Sequence, residues 1–316
     1  MKGLAFSPDS TKLAVAQTDN IVFIYKLGTE WGEKKSICNK FAQTSAVTCV
    51  CWPSQHPNEI VYGLAEGKVK AGNLRTNKPA VLYSTSSYVI SVAASPDGNS
   101  IVAAHLDGSI HKFTFDDGSG AGASYQKLCV HPSAPTTIAW GHSVLVAGAD
   151  SRIMMYNPTD GRTSQAFDYS NDESEKEFTC AAFAPSGECC AVGSFNRFRL
   201  YVLNRRANAW DEDVKNVENL YTVSALAWRS DGSCLTIGGL TGAVEMYDAC
   251  VKRYIYKGTF EMTYVSPSNV IVKRLATRMC LFDVVHTTTS YVSCQQYITM
   301  IIMIYMIVIN VSVLVC

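Results

Sequence analysis

One phrase returns six times along this chain, and internal repetition constrains a fold more tightly than any single motif. An apolar strand leads into a tight turn rich in Ser, Pro, Asp and Gly. A second apolar strand, a second turn and a third strand ending in an aromatic residue follow. The first copy reads Leu4-Ala5-Phe6-Ser7-Pro8-Asp9, then Leu13–Ala16, Asp19-Asn20 and Ile21–Tyr25. The third carries Ser95-Pro96-Asp97-Gly98, Ile101–Ala104, Asp107-Gly108 and Ile110–Phe113. The sixth carries Leu226-Ala227-Trp228, Ser230-Asp231-Gly232, Leu235–Gly238, Thr241-Gly242 and Val244–Asp248. The residues that end the first strand are Phe6, Trp52, Ala94, Trp140, Phe183 and Trp228, with successive gaps of 46, 42, 46, 43 and 45.

That period fits the ~40–45 residues of a WD-type β-propeller blade and excludes the ~33–34-residue helical repeats. The turns have the chemistry such hairpins need. In Ser-Pro-Asp-Gly, Pro presets φ at the first corner and Gly takes the positive φ that closes it. In Asp107-Gly108, Asp bonds its own turn backbone and Gly supplies the left-handed position. Asp19, Asp97, Gly98, Asp107, Gly108, Asp150, Asp231 and Gly232 are therefore expected to be structural turn residues, with Glu66, Asn196 and Thr241 at positions equivalent to Asp107. Val144–Ala147 and the other middle strands are continuously apolar, as strands covered on both faces are. The fold class is all-β: a WD40-type propeller, incomplete, with six repeats plus the start of another near Tyr264. The WD signature residues have drifted. Third strands end in Tyr25, Phe113, Tyr156, Tyr201 and Tyr247 rather than Trp, and no Gly-His precedes each repeat. The family's Asp–His–Ser hydrogen-bond network is thus in doubt in most copies. Asp116–Gly122, Asp168–Glu177 and Asn204–Asn219 read as rim loops, the last with room for a helical turn. Trp210-Asp211 within it reads as a chance match.

No enzyme is visible. The six histidines (His56, His105, His111, His131, His142, His286) form no metal-spaced pair, so His105 and His111 read as solvated or structural. No phosphate-binding or nucleophile-elbow motif occurs. Asp172 and Glu173 read as surface charges. No catalytic, cofactor-binding or metal residue is expected. Lys plus Arg and Asp plus Glu each number 27, which gives no whole-chain pull toward nucleic acid. The 12 cysteines include no C-x-x-C and read as small reduced core residues. The N-terminus has no secretory h-region.

Four segments go beyond the generic repeat: Ala5–Lys12 with Gln17–Ile21, Ile37–Phe41 with Gln43–Cys49, Gly63–Val69, and Phe260–Val265 with Ile271–Lys273. Together they resemble the intraflagellar transport protein 172 family over about Met1 to Leu275. The resemblance implies a non-catalytic scaffold in intraflagellar transport complex B, with that complex's other subunits as partners. It implies a place in the cilium, at the ciliary base and in the cytoplasm, and a role in building and maintaining cilia. Another trafficking or coat-like assembly is the alternative.

The resemblance divides the chain into a propeller, 1–275, and a non-family apolar tail, 276–316. Val284–Cys316 holds no Asp, Glu, Lys or Arg. Tyr297–Cys316 is long enough as a helix to cross a ~30 Å hydrocarbon core, which would make the chain a tail-anchored membrane protein. Its β-branched character, and its start where the resemblance stops, favour mis-spliced or untranslated sequence.

Overall fold

The computed structural model describes residues 2–28, 33, 36–116, 118, 122–216, 221–250, 252–266, 269–277 and 280–286. The apolar run expected at 297–316 lies outside them. The described secondary structure is all strand and turn, and none of it is a helix long and apolar enough to cross a membrane. The chain divides into two compact units. One takes the described residues up to Ala227 with Ile237–Glu245; the other takes Trp228–Thr236 and the described residues from Met246 onward.

Each repeat is an antiparallel sheet of strands in chain order, the blade of a WD-type β-propeller. Blade one is β1 (Gly3–Phe6), β2 (Lys12–Ala16), β3 (Ile21–Lys26) and β4 (Ser36–Ala42). Blade two is β5 (Val47–Cys51), β6 (Glu59–Leu64), β7 (Lys68–Asn73) and β8 (Lys78–Ser84). Blade three is β9 (Val89–Ala94), β10 (Ser100–His105), β11 (Ser109–Thr114) and β12 (Ser124–Val130). Blade four is β13 (Pro135–Trp140), β14 (Val144–Gly148), β15 (Arg152–Tyr156) and β16 (Thr163–Asp168). Blade five is β17 (Cys180–Phe183), β18 (Cys189–Gly193), β19 (Arg197–Asn204) and β20 (Ala209–Asn216). β21 (Val223–Trp228), β22 (Cys234–Gly239) and β23 (Val244–Asp248) form a three-stranded sheet. β24 (Lys252–Tyr256), β25 (Phe260–Tyr264), β26 (Asn269–Arg274) and β27 (Cys280–His286) form a further four-stranded one. The repeat expected to start near Tyr264 begins earlier, since this last sheet opens at Lys252 and Tyr264 ends its second strand.

The blades carry a fourth strand where the repeat showed three. These outer strands are largely exposed: six of the seven residues of β8 lie outside the buried class, and Pro79 sits among them. An edge strand with one side in water needs no apolar pattern and tolerates proline. The largest correction falls on 204–219. β20 pairs with β19 from Arg197↔Asn216 to Asn204↔Ala209. Trp210 is buried and packs edge-on against Phe183 at 5.8 Å. Trp210-Asp211 is therefore strand, neither loop nor helical turn.

The second strands of blades three and four are buried on both faces, all six residues of β10 and all five of β14, while β2 and β22 bury only alternate or scattered residues. In blades one to five the core lies between blades rather than within them, whereas Phe260, Met262, Tyr264, Val270 and Val272 cluster within the last sheet. Ala14, Val22 and Ile24 of blade one meet Val47, Ile60 and Tyr62 of blade two. Val69 and Tyr83 meet Ile101 and Phe113; Val102 and Ile110 meet Val144 and Tyr156; Leu145 and Ile153 meet Phe178, Tyr201 and Trp210. Burying such side chains contributes roughly 1.5–3 kcal/mol each, so each blade is stabilised chiefly by its neighbours.

Candidate interaction surface

The residue that follows β4, β8, β12 and β16 ties one blade to the next. Gln43, Thr85, His131 and Tyr169 occupy this place, and their backbone N–H groups donate to the carbonyls of Asn20, Gly67, Gly108 and Ser151 at 2.8–3.1 Å. Their side chains then enter the following blade. Gln43 Nε2 donates to Tyr62 Oη (3.0 Å), and its Oε1 accepts from Lys70 Nζ (2.8 Å). Thr85 Oγ1 lies 3.0 Å from His105 Nδ1. His131 Nδ1 lies 3.1 Å from Tyr156 Oη. Tyr169 Oη meets Tyr201 Oη at 2.7 Å.

Blade four gathers the three residue types of the Asp–His–Ser network without completing it, because His131 Nε2 faces Ser133 and Asp150 but is hydrogen-bonded to neither. Ser133 Oγ donates to Asp150 Oδ1 at 2.8 Å. A Cβ on Gly148 would collide with Ser133 Oγ, His131 Nε2 and Asp150 Oδ1 together, so glycine is required where these groups converge. The other copies fill the linking place with different chemistry, which no residue-by-residue motif reveals. Its spacing is the legible signal: Gln43, Thr85 and His131 each stand four residues before Val47, Val89 and Pro135, which open the next inner strands.

His105 and His111 are buried, not solvated. Ser87 C=O lies 2.9 Å from His105 Nδ1, so that nitrogen carries the proton, and Tyr83 Oη sits 3.1 Å from Nε2. Ser109 Oγ donates to Asp107 at 2.6 Å and lies 3.0 Å from His111 Nε2; Tyr125 Oη lies 2.9 Å from His111 Nδ1. A directed chain, Tyr125 to His111 to Ser109 to Asp107, results. Burial lowers the pKa of all three histidines, His105, His111 and His131; for His111, with His105 beside it, the value falls to about 4.

The turn residues read from the sequence lie as follows. Asp19 Oδ1 accepts from Ile21 N–H (3.2 Å), and Asp150 Oδ1 from Arg152 N–H (3.3 Å). Burial would raise Asp107, but the hydroxyl and N–H of Ser109 outweigh it and lower its pKa. Gly108 has φ +86°, and a Cβ there would meet the carbonyl of His131. Asp97 is lowered first by the Ser95 hydroxyl, and Asn99 N–H adds a 3.1 Å bond. Gly98 has φ +71°. Burial would raise Asp231, yet Ser233 prevails and lowers it, and Gly232 has φ +74°. In blade five, Phe195 rather than Asn196 stands where Asp107 stands, two residues beyond the second strand, because that strand ends at Gly193.

Blade five adds charge to its neutral Tyr169–Tyr201 link. Arg199 Nε and Nη2 reach Glu175 Oε2 at 2.8 and 2.5 Å, and Nη1 bonds Glu212. Asp172 Oδ2 lies 3.6 Å from Nη2, and the guanidinium sits 3.9 Å from the Tyr169 ring centroid. The segment expected to be a solvated acidic loop therefore sends Glu175 into full burial and pairs Asp172 with Arg199. Sequence reading missed this because both partners look like ordinary surface charges.

Two blade ends are presented outward. At the end carrying the turns after the second strands, Leu106 N–H donates to Tyr88 O and Leu240 N–H to Tyr221 O. These bonds hold out Tyr88, Leu106, Tyr221 and Leu240, which are 41–66% exposed, while Ala46/Ala65 and Ala134/Ala149 fill the same places elsewhere. At the opposite end a recess of about 310 Å³ is lined by His142, Pro158, Thr159, Gln165 and Trp210. Gln165 forms two hydrogen bonds with the Trp210 backbone, at 2.9 and 2.7 Å, bridging blades four and five. Among the described residues no group of His, Cys, Asp and Glu is placed to hold a metal ion.

Comparisons with known proteins agree with this architecture. The family model for the WD domain, G-beta repeat, matches residues 77–113, a stretch running from β8 to β11. The chain is 50% identical over 278 residues to the intraflagellar transport protein 172 homolog of Mus musculus, covering 87% of this chain and 16% of that protein. It is 49% identical over 284 residues to intraflagellar transport protein 172 of Chlamydomonas reinhardtii (88% and 16%). It is 41% identical over 272 residues to intraflagellar transport protein osm-1 of Caenorhabditis elegans (85% and 15%). The chain thus spans about a sixth of the length of these relatives. A period of blade length, locked WD-type sheets and half-identity over most of its length together make this chain a WD-repeat member of the intraflagellar transport protein 172 family.

Proposed function

We propose that the chain is a non-catalytic docking scaffold of intraflagellar transport complex B, holding other subunits of that complex in the cilium, at the ciliary base and in the cytoplasm. The supporting observation is the two pairs of exposed apolar residues, Tyr88 with Leu106 and Tyr221 with Leu240, each pair joined by a backbone hydrogen bond. Rigid aromatic and aliphatic side chains that are ordered before binding lose little entropy when covered and make effective anchors. Loops held on a rigid scaffold are the usual place for such contacts.

The test replaces each pair, Y88D/L106D and Y221D/L240D, in the chain expressed in ciliated cells. Co-purifying transport subunits are then quantified. Recovery of at least one subunit falls roughly tenfold or more for one pair, with melting unchanged. Full recovery with both pairs replaced would overturn the proposal.

A further inference from the structure

The segment between β16 and β17 brings a serine, acidic neighbours and a receiving cation together. Ser174 is exposed, and its hydroxyl and N–H both donate to Asp172 Oδ1, at 2.5 and 3.0 Å. Arg197 Nη1 donates to Ser174 Oγ at 3.0 Å. The residues that follow are Glu175, Lys176 and Glu177. The two nearby arginines differ. Arg199 is already engaged by Glu175, Glu212 and Asp172. Among the described contacts Arg197 hydrogen-bonds Ser174 and Asn196 and has no carboxylate within 4.0 Å, although its charge helps to lower the pKa of Asp172. Ser170 also precedes acidic residues, but its hydroxyl donates to Asp168, whose carboxylate is bonded by Arg152; no guanidinium is described at its oxygen.

We propose that Ser174 is a phosphorylation site, modified by a serine/threonine kinase that selects a carboxylate three residues beyond its acceptor, here the exposed Glu177, and that Arg197 receives the phosphate. Ser174 Oγ attacks the γ-phosphorus of a nucleoside triphosphate. The bond to the leaving nucleoside diphosphate breaks, and the hydroxyl proton passes to the kinase's base. The product is a near-dianion with three strong acceptor oxygens and no hydroxyl donor. It no longer donates to Asp172, whose carboxylate it repels, while Arg197 gains charge-assisted bonds. Arg199 keeps Glu175 and Glu212. The segment is thereby rehung from Asp172–Arg199 to phosphate–Arg197, a change of charge and of anchor on the rim of blade five.

The experiment treats the full chain with ATP and a kinase of that specificity, maps the phosphate by mass spectrometry, and follows the phosphorus resonance against pH. Phosphate is expected at Ser174, absent from S174A and retained in S174T. Its second ionisation lies below the ordinary value of about 6 and returns to about 6 in R197M. Phosphate found only at other residues would overturn the site; the same titration in wild type and R197M would overturn the role of Arg197.

Discussion

In blades three and four the links between neighbours are neutral: Thr85 to His105 and His131 to Tyr156. In blade five the same backbone step delivers Tyr169 to Tyr201, again a neutral bond, and also beneath Arg199, where a buried ion pair is added. The backbone hydrogen bonds that place these side chains are alike in all of them. One geometry therefore accepts two chemistries, and the two should fail under different insults. A neutral histidine is lost when it must take up a proton. A buried ion pair is lost when one partner is removed and the other stays desolvated.

The sharpest difference is expected from R199M. Glu175 is left buried without its cation, which costs about 3–5 kcal/mol. Urea unfolding reads this as a lower midpoint. R199M with E175Q recovers much of it, since the stranded charge has gone; no recovery would mean that blade five is held by packing alone. Next comes G148A, whose methyl group enters the convergence of Ser133, His131 and Asp150. Overpacking there costs about 1–3 kcal/mol; an unshifted midpoint would show that blade four relaxes freely.

Acid separates the blades more gently. His111 falls from the ordinary 6.5 to about 4 in the folded state, so below 6.5 the unfolded chain binds more protons than the folded one. Stability from this site is full above pH 6.5 and declines as pH falls toward 4. Opening of β10 and β11 at pH 5.5, read by hydrogen exchange corrected for intrinsic rate, is expected to be roughly tenfold easier than at pH 7. Arg199 is held even further above its ordinary value by Glu175 once the cost of its burial is met. β19 should not share the response, and equal responses would erase the distinction between the blades.

The same contrast explains what could be read before any coordinates. The period, the Asp-Gly turns and the doubly covered second strands were legible because backbone sterics and burial restrict those residues strongly. The outer strands were not, since Lys78–Ser84 and Ala209–Asn216 each have one edge in water, and the first carries a proline and the second a run of charges that break any strand pattern. The links were hidden for a different reason. Gln, Thr, His and Tyr all donate or accept from one backbone position, so the place is shared while the residue is not. Glu175 and Arg199, 24 residues apart, carry no local mark of burial.

The central claim is that the residue leaving each of the outer strands β4, β8, β12 and β16 couples that blade energetically to the next. A double-mutant cycle on His131 and Tyr156 tests it most directly, using H131A, Y156F and both in equilibrium unfolding. Coupling of about 0.5–1.5 kcal/mol is predicted, the net worth of one hydrogen bond. Strict additivity, within about 0.3 kcal/mol, would contradict it.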